Sequence, residues 1–362
     1  MKTKELKQFV TKAKKIYNKK NTLLVNEKVL IKDNQMIFTD LEFFLIWPCS
    51  FSVNNKLIDF PYLEKIVKKT KAKDIDIVES PDNENELIIK AGPSSFTTNE
   101  DFQVDEFPKL PKLESKTNDF ITSVDAARIK KSLAYSANDD LRPAMNGVYL
   151  EKENIVSTDA HEMAYHKREK PGKTSVLLKR KTVGLMEDEQ YNIQVGEKYS
   201  YLTGKTCTIV QYNEDERYPN WKAVIREGSP IQITGIDARK LIETLEEADI
   251  SANQSSHMAI FHFSKEKGLL NIRARDLDFN KGYNCNLPFE SMKGNSMSIG
   301  VNISRLLHIL KNEKMDAVNF YLEDMTKVIH INDGLLLMPM MLDEVEDQYI
   351  YPSENELKAE IR

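Results

Sequence analysis

Apolar positions Leu6, Phe9, Val10, Ala13, Ile16 and Tyr17 recur at i, i+3, i+4 and i+7, one face of an amphipathic helix. Short apolar runs then predict strands over residues 23–25, 29–32, 36–38 and 43–47. A second helix is predicted from Pro61, a favourable first-turn residue, with Leu63, Ile66 and Val67 inward. Strands are predicted again over 75–78, 86–90 and 95–98. The same order returns twice. Residues 124–137 read as a helix with Ile129 and Leu133 inward; strands follow, and Lys179-Arg180-Lys181 opens another helix running to Met186. Asp237 is a plausible N-cap for a helix over 238–248, and Asn302 or Ser304 starts a last one with Leu306, Leu307 and Leu310 inward.

The periodicity exposes a repeat. Met36-Ile37-Phe38-Thr39-Asp40-Leu41-Glu42-Phe43, Ile155-Val156-Ser157-Thr158-Asp159-Ala160-His161-Glu162-Met163 and Leu270-Asn271-Ile272-Arg273-Ala274-Arg275-Asp276-Leu277-Asp278-Phe279 each run from a strand through an acidic turn. Their aspartates lie 119 and then 117 residues apart, the size of a small domain. Asp105-Glu106-Phe107-Pro108 and Asp215-Glu216-Arg217-Tyr218-Pro219 recur as matching linkers, their aromatic and proline 111 residues apart. The fold class expected is α+β. It comprises three repeated domains over 1–115, 116–228 and 229–342, each with two helices packed on antiparallel strands, and a tail over 343–362.

Composition changes this picture little. The chain has 362 residues, 41% hydrophobic and 30% charged, as in ordinary globular proteins. Cys49, Cys207 and Cys285 fall one per repeat without CxxC partners, so reduced thiols in a cytoplasmic protein are expected. No stretch of 18 apolar residues occurs, and no membrane span is expected.

Charge matters more. The net charge of −5 matches that of the tail alone, where seven acids face two bases. In the first 115 residues, 13 of 19 lysines but only two of 18 acids fall in the stretches 2–20 and 60–73. Lys4, Lys12, Lys15 and Lys19 lie opposite the apolar stripe of the first helix, and Lys65, Lys68 and Lys69 project from the second. Arg128 and Lys131 point outward from the third helix, while Lys179, Arg180 and Lys181 open the fourth. A solvated face is the usual meaning of one basic helix. Outward basic residues on four of six predicted helices instead suit phosphate contacts without base readout. The fifth helix departs from this pattern, since Glu243, Glu246 and Glu247 outweigh Arg239 and Lys240.

At Leu141-Arg142-Pro143-Ala144-Met145-Asn146-Gly147-Val148-Tyr149-Leu150-Glu151 and Ser157-Thr158-Asp159-Ala160-His161-Glu162-Met163-Ala164 the chain resembles the bacterial sliding clamp family, the beta subunit of DNA polymerase III. Tyr218-Pro219-Asn220-Trp221-Lys222, Ile299-Gly300-Val301-Asn302 and Leu337-Met338-Pro339-Met340 resemble later parts of that family, in order and at family spacing over about residues 1–342. The resemblance implies a homodimeric ring of head-to-tail domains around double-stranded DNA, joined near Phe96 of one chain and Ile250 of the other. It adds Lys20 and Arg142 to the DNA-facing set. It also implies a groove between the second and third domains for short peptides of a DNA polymerase and a clamp loader. Matching positions are Met145, Thr158, Ala160, His161, Glu162, Met163, Pro219, Val224, Asn302, Leu336, Leu337, Met338, Pro339 and Met340. For Leu336 and Val224 alone, a core position is the simpler expectation. Ala160, Glu162 and Met341 stand where the family usually has glycine, arginine and arginine, so altered peptide preference is expected.

Catalytic chemistry finds no support. Asp159 and His161 have no nucleophile in a GxSxG context, and there is neither HExxH nor GxxxxGK[ST], so no enzyme activity, metal or cofactor is expected. A diverged clamp paralogue serving a mobile element or repair system, and a DNA-processing enzyme, are the alternatives. The tail is expected to be a solvated acidic extension, although Gln348-Tyr349-Ile350-Tyr351 loosely mimics a peptide ligand.

Overall fold

A computed structural model describes residues 1–17, 24–83, 86–99, 103–112, 117–139, 141–225 and 228–342. Lys19, Lys20, the boundary at 115/116 and the tail over 343–362 lie outside the described residues. The α-helices among the described residues are α1 (Thr3–Ile16), α2 (Phe60–Lys69), α3 (Ser123–Ser132), α4 (Arg180–Leu185), α5 (Ala238–Ser251) and α6 (Ile303–Glu313). Four begin at side-chain caps that satisfy an otherwise orphaned N–H. Asp59 accepts from the Tyr62 N–H at 2.7 Å, Thr122 from Asp125 at 3.1 Å, Asp237 from Lys240 at 2.9 Å and Asn302 from Arg305 at 3.0 Å.

The described chain forms two compact units. The first comprises Met1–Leu133, Asp139–Ile155 and Lys167–Tyr218. Its centre is an antiparallel sheet of eight strands. Their order is Lys56–Asp59, Lys28–Lys32, Gln35–Thr39, Phe43–Pro48, Thr208–Tyr212, Tyr199–Thr203, Tyr191–Val195 and Thr117–Ile121. Phe43–Pro48 pairs with Thr208–Tyr212, placing Phe44 opposite Val210 and Ile46 opposite Thr208. One sheet therefore runs without a break across the position where the sequence divides its first two repeats. Leu6, Phe9, Val10, Leu63, Val67, Ile129 and Val183 belong to the large core of this unit. A smaller cluster gathers Leu30, Ile37, Phe44 and Val210 around the linker's Phe107.

The second unit comprises Ala134–Asn138, Val156–His166 and the chain from Pro219. Ser291–Lys293, Ile231–Asp237, Ala317–Leu322, Ile329–Ile331, Leu335–Leu337 and Glu162–Lys167 are successive neighbours in one antiparallel sheet. A second sheet has the order Lys281–Pro288, Leu269–Asp276, Met258–Ser264 and Met297–Asn302. Leu241 and Leu245 of α5 and Leu306, Ile309 and Leu310 of α6 fill the core with Phe261, Phe263 and Phe320.

Three local expectations change. Residues predicted as a strand over 23–25 instead contribute to the 3-10 turn Leu24–Glu27, with Leu23 outside the described residues. The third helix stops at Ser132 and tightens into the 3-10 turn Leu133–Tyr135, where buried Tyr135 donates its hydroxyl to Glu313 at 2.8 Å. Lys56–Asp59 is an unanticipated strand that feeds α2.

Candidate ligand groove and basic face

The acidic turn is built from the same hydrogen bonds in its first two copies. The Thr39 hydroxyl accepts the Leu41 N–H at 2.9 Å, and Asp40 Oδ1 accepts the N–H groups of Glu42 and Phe43 at 3.2 and 2.9 Å. Likewise, Thr158 accepts from Ala160 at 3.0 Å, and Asp159 Oδ1 from His161 and Glu162 at 2.8 and 2.9 Å. In the third copy Asp276 Oδ1 accepts from Asp278 and Phe279 at 3.1 and 3.4 Å. The short side chains hold the backbone where it leaves the strand, which explains their recurrence.

A helical cation then reaches the second carboxylate oxygen of each of the first two aspartates. Lys181 of α4 meets Asp40 Oδ2 at 2.7 Å, and Arg305 of α6 meets Asp159 Oδ2 at 2.6 Å. Burial pushes the Asp159 carboxyl up. The Glu162 N–H, the Arg305 guanidinium and the His161 N–H outweigh it and hold the group below its ordinary value.

From the second turn, Glu162–Lys167 pairs with Leu335–Leu337 in the register Glu162–Leu337, Met163–Leu336 and Ala164–Leu335. The Met338 N–H continues this ladder to the His161 carbonyl at 2.8 Å. Pro339 interrupts it, and Met340 crosses to donate to the Gly300 carbonyl at 2.9 Å. A Cβ at Gly300 would stand 2.4 Å from the Met340 carbonyl oxygen, so only glycine admits this approach. Tyr165 lies 5.7 Å from Trp221, which begins the 3-10 turn Trp221–Val224.

The proposed groove residues separate by exposure. Thr158, Glu162, Met163, Leu336 and Leu337 are buried; Asn302, Pro339 and Met340 are half-buried; Ala160, His161, Pro219, Val224 and Met338 are exposed. Leu336 is core, whereas Val224 stands at the surface, contrary to the core expectation for it. Met341 extends the exposed apolar strip. Met145 is half-buried in the 3-10 turn Pro143–Met145 of the first unit. Sequence patterning missed Arg305 and His308, one turn apart on α6. Their only signal was placement opposite the inward leucines.

The basic residues also separate. Lys4, Lys65, Lys69, Lys131 and Arg142 are exposed, and Lys68 pairs with Glu64 on its own helix. Lys12 corrects the helical-wheel expectation. It is buried, and its ammonium meets the Leu185 carbonyl and Glu187 where α1 crosses the end of α4. Lys15 donates to the neighbouring Gly184 carbonyl at 2.7 Å. These lysines satisfy C-terminal carbonyls that α4 leaves open. Lys179 faces Glu42 at 2.7 Å, Arg180 reaches the Leu133 carbonyl at 3.3 Å, and Arg128 lies 3.4 Å from Asp125. Phe96 is half-buried on the strand Ser94–Asn99, and Ile250 is exposed near the end of α5.

Paired helices packed on continuous antiparallel sheets, with the turn motif repeated along the chain, define an α+β protein of the DNA-clamp fold. The chain is similar to the beta sliding clamp of Pseudomonas aeruginosa, 25% identical over 282 residues that cover 72% of this chain and 75% of that protein. The crystal structure of the DNA polymerase III subunit beta from P. aeruginosa matches at a TM-score of 0.80 and 21% identity, covering 94% of this chain and 99% of that one. A P. aeruginosa sliding clamp bound to griselimycin matches at 0.79 and 22%, covering 94% and 98%. No family model matches the chain. Sequence and fold thus point to one set of similar proteins, the bacterial sliding clamps, at low identity.

Proposed function

We propose that this protein is a DNA sliding clamp, a non-enzymatic processivity factor of the cytoplasm that encircles duplex DNA and tethers a polymerase. The observation that carries this is the match of nearly the whole chain, in order, to clamps of known structure. Exposed Lys4, Lys65, Lys69, Lys131 and Arg142 supply sequence-independent attraction to phosphates. Lys12 is spent on α4 and contributes little. Partners, a polymerase and a loader among them, dock short peptides on the strip of Ala160, His161, Val224, Met338, Pro339 and Met340. Its methionines adapt to varied apolar side chains. Tethering replaces repeated encounters by a high effective concentration at the template.

Ring closure needs a second copy, and the internal repeat supports this. Two acidic turns each receive a cation from a helix of the following repeat, a head-to-tail contact that a second copy of the chain can repeat at the third turn. Around that third turn Leu277 and Phe279 are 61% and 72% exposed, as Ile250 is at 72%, apolar surface suited to a like subunit near Phe96. The test is retention on DNA after loading by the cognate loader. The protein is expected to stay on a closed circle and run off the same DNA once it is linearised. Equal retention on both forms would refute topological binding.

A further inference from the structure

In the first copy of the turn, the third residue after the aspartate is Phe43, a core phenyl; in the second it is Glu162. Glu162 is only 7% exposed. Its Oε2 has no hydrogen-bond partner among the described residues. Its Oε1 lies 2.8 Å from His308 Nδ1, an ion-pair distance not aligned as a hydrogen bond, and 3.9 Å from the Arg305 guanidinium, which is already held by Asp159 at 2.6 Å. The other groups around the imidazole are Asp159 and the Tyr135 ring, 5.5 Å away, whose hydroxyl is committed to Glu313. A buried carboxylate is costly unless compensated, and Arg305, shared with Asp159, compensates Glu162 only in part, so the state of the imidazole weighs on how well Glu162 is tolerated in place.

We propose that Glu162 and His308 form a proton-controlled latch that fixes the turn 158–162 against α6 and so positions the groove rim. Ala160 and His161 ride on this turn, and the His161 carbonyl anchors the Met338 N–H at 2.8 Å. Release of the latch thus moves both sides of the rim together. The Glu162 contact raises His308 above its ordinary value, outweighing burial. A raised histidine contributes stability fully below its unfolded value and loses it as pH rises through the folded one. The latch is therefore closed in mild acid and opens toward alkaline pH. Its effect on ligand binding rests on the groove proposed above; the latch itself does not.

The experiment is a titration of the full chain labelled on histidine carbon and backbone nitrogen, followed by NMR. The His308 midpoint is expected above about 6.5, with the Ala160 and His161 amide signals moving at that same midpoint. In Glu162→Gln the His308 midpoint falls, and in His308→Gln the two amides lose their transition at that midpoint. A His308 midpoint at or below the ordinary value, or amides indifferent to it, would overturn the latch. Griselimycin serves as the probe for the rim, with affinity expected to fall several-fold as pH passes the His308 midpoint. No griselimycin binding at any pH, with the NMR titration intact, would count against the groove and leave the latch standing.

Discussion

The turns after Thr39 and Thr158 share their backbone hydrogen bonds and differ in what is packed beneath them. Both place a cation from a helix on the aspartate, at 2.7 Å from Lys181 and 2.6 Å from Arg305. In both, that cation also addresses the residue three places on. Lys181 lies 5.1 Å from the centre of the Phe43 ring, and Arg305 3.9 Å from the Glu162 carboxylate. The first copy thus closes over an apolar core with a cation resting on its aromatic edge. The second closes over a buried charge and recruits His308 to hold it. Repetition of a turn preserves its scaffold; the residue under it decides whether the turn is fixed or responsive.

The strongest way to break this comparison is to transplant the charge. Phe43→Glu would bury a carboxylate where the half-exposed Lys181, already paired with Asp40, rests on the ring. It should cost about 3–5 kcal/mol in urea unfolding, the cost of an uncompensated buried charge. Glu162→Gln, which removes a charge instead, should cost far less. Equal costs would show that the two sites do not differ in how they tolerate charge.

Next in size is removal of the cations. Arg305→Met takes a guanidinium from Asp159 and part of the compensation from buried Glu162, and should cost about 2–3 kcal/mol in the same measurement. Lys181→Met removes a partly exposed ammonium from the largely buried Asp40, which keeps its two N–H donors, while leaving Phe43 in its core, and should cost about 1–2 kcal/mol. A reversed order would remove the distinction drawn between the turns.

How much of this was legible in the sequence depends on the range of the interaction. The turn was visible because Thr-Asp acts within four residues, and the inward faces of α1, α2 and α6 were visible because helical period is local. Asp237 and Asn302 were legible as caps for the same reason. Lys12 was misplaced because the helical wheel shows only which side of α1 it leaves, while Leu185 and Glu187, its partners, are more than 170 residues away. His308 looked like a polar-face residue for the same cause; only the fold brings it to Glu162. The division into repeats was visible as period, but a sheet that pairs Phe43–Pro48 with Thr208–Tyr212 makes the compact units larger than one repeat.

The smallest expected effect concerns the backbone that both turns share. Leu41 and Ala160 adopt positive φ angles of 80° and 76°, a region where a Cβ crowds the following carbonyl and where glycine is at ease. The hydrogen bonds to Asp40 and Asp159 hold these residues there against that strain. Ala160→Gly relieves about 1–2 kcal/mol of strain but adds freedom to the unfolded chain, which returns about 0.4–1 kcal/mol of it. The net should be a stabilisation of about 0.5 kcal/mol in urea unfolding, since Ala160 is exposed and buries no core surface. Leu41→Gly gives up a larger, partly covered side chain and should be neutral or slightly worse. If Ala160→Gly instead destabilised the protein, the methyl group would be holding the second turn in place. The fixed geometry would then reside in the turn residue itself, not in the pair of charges behind it.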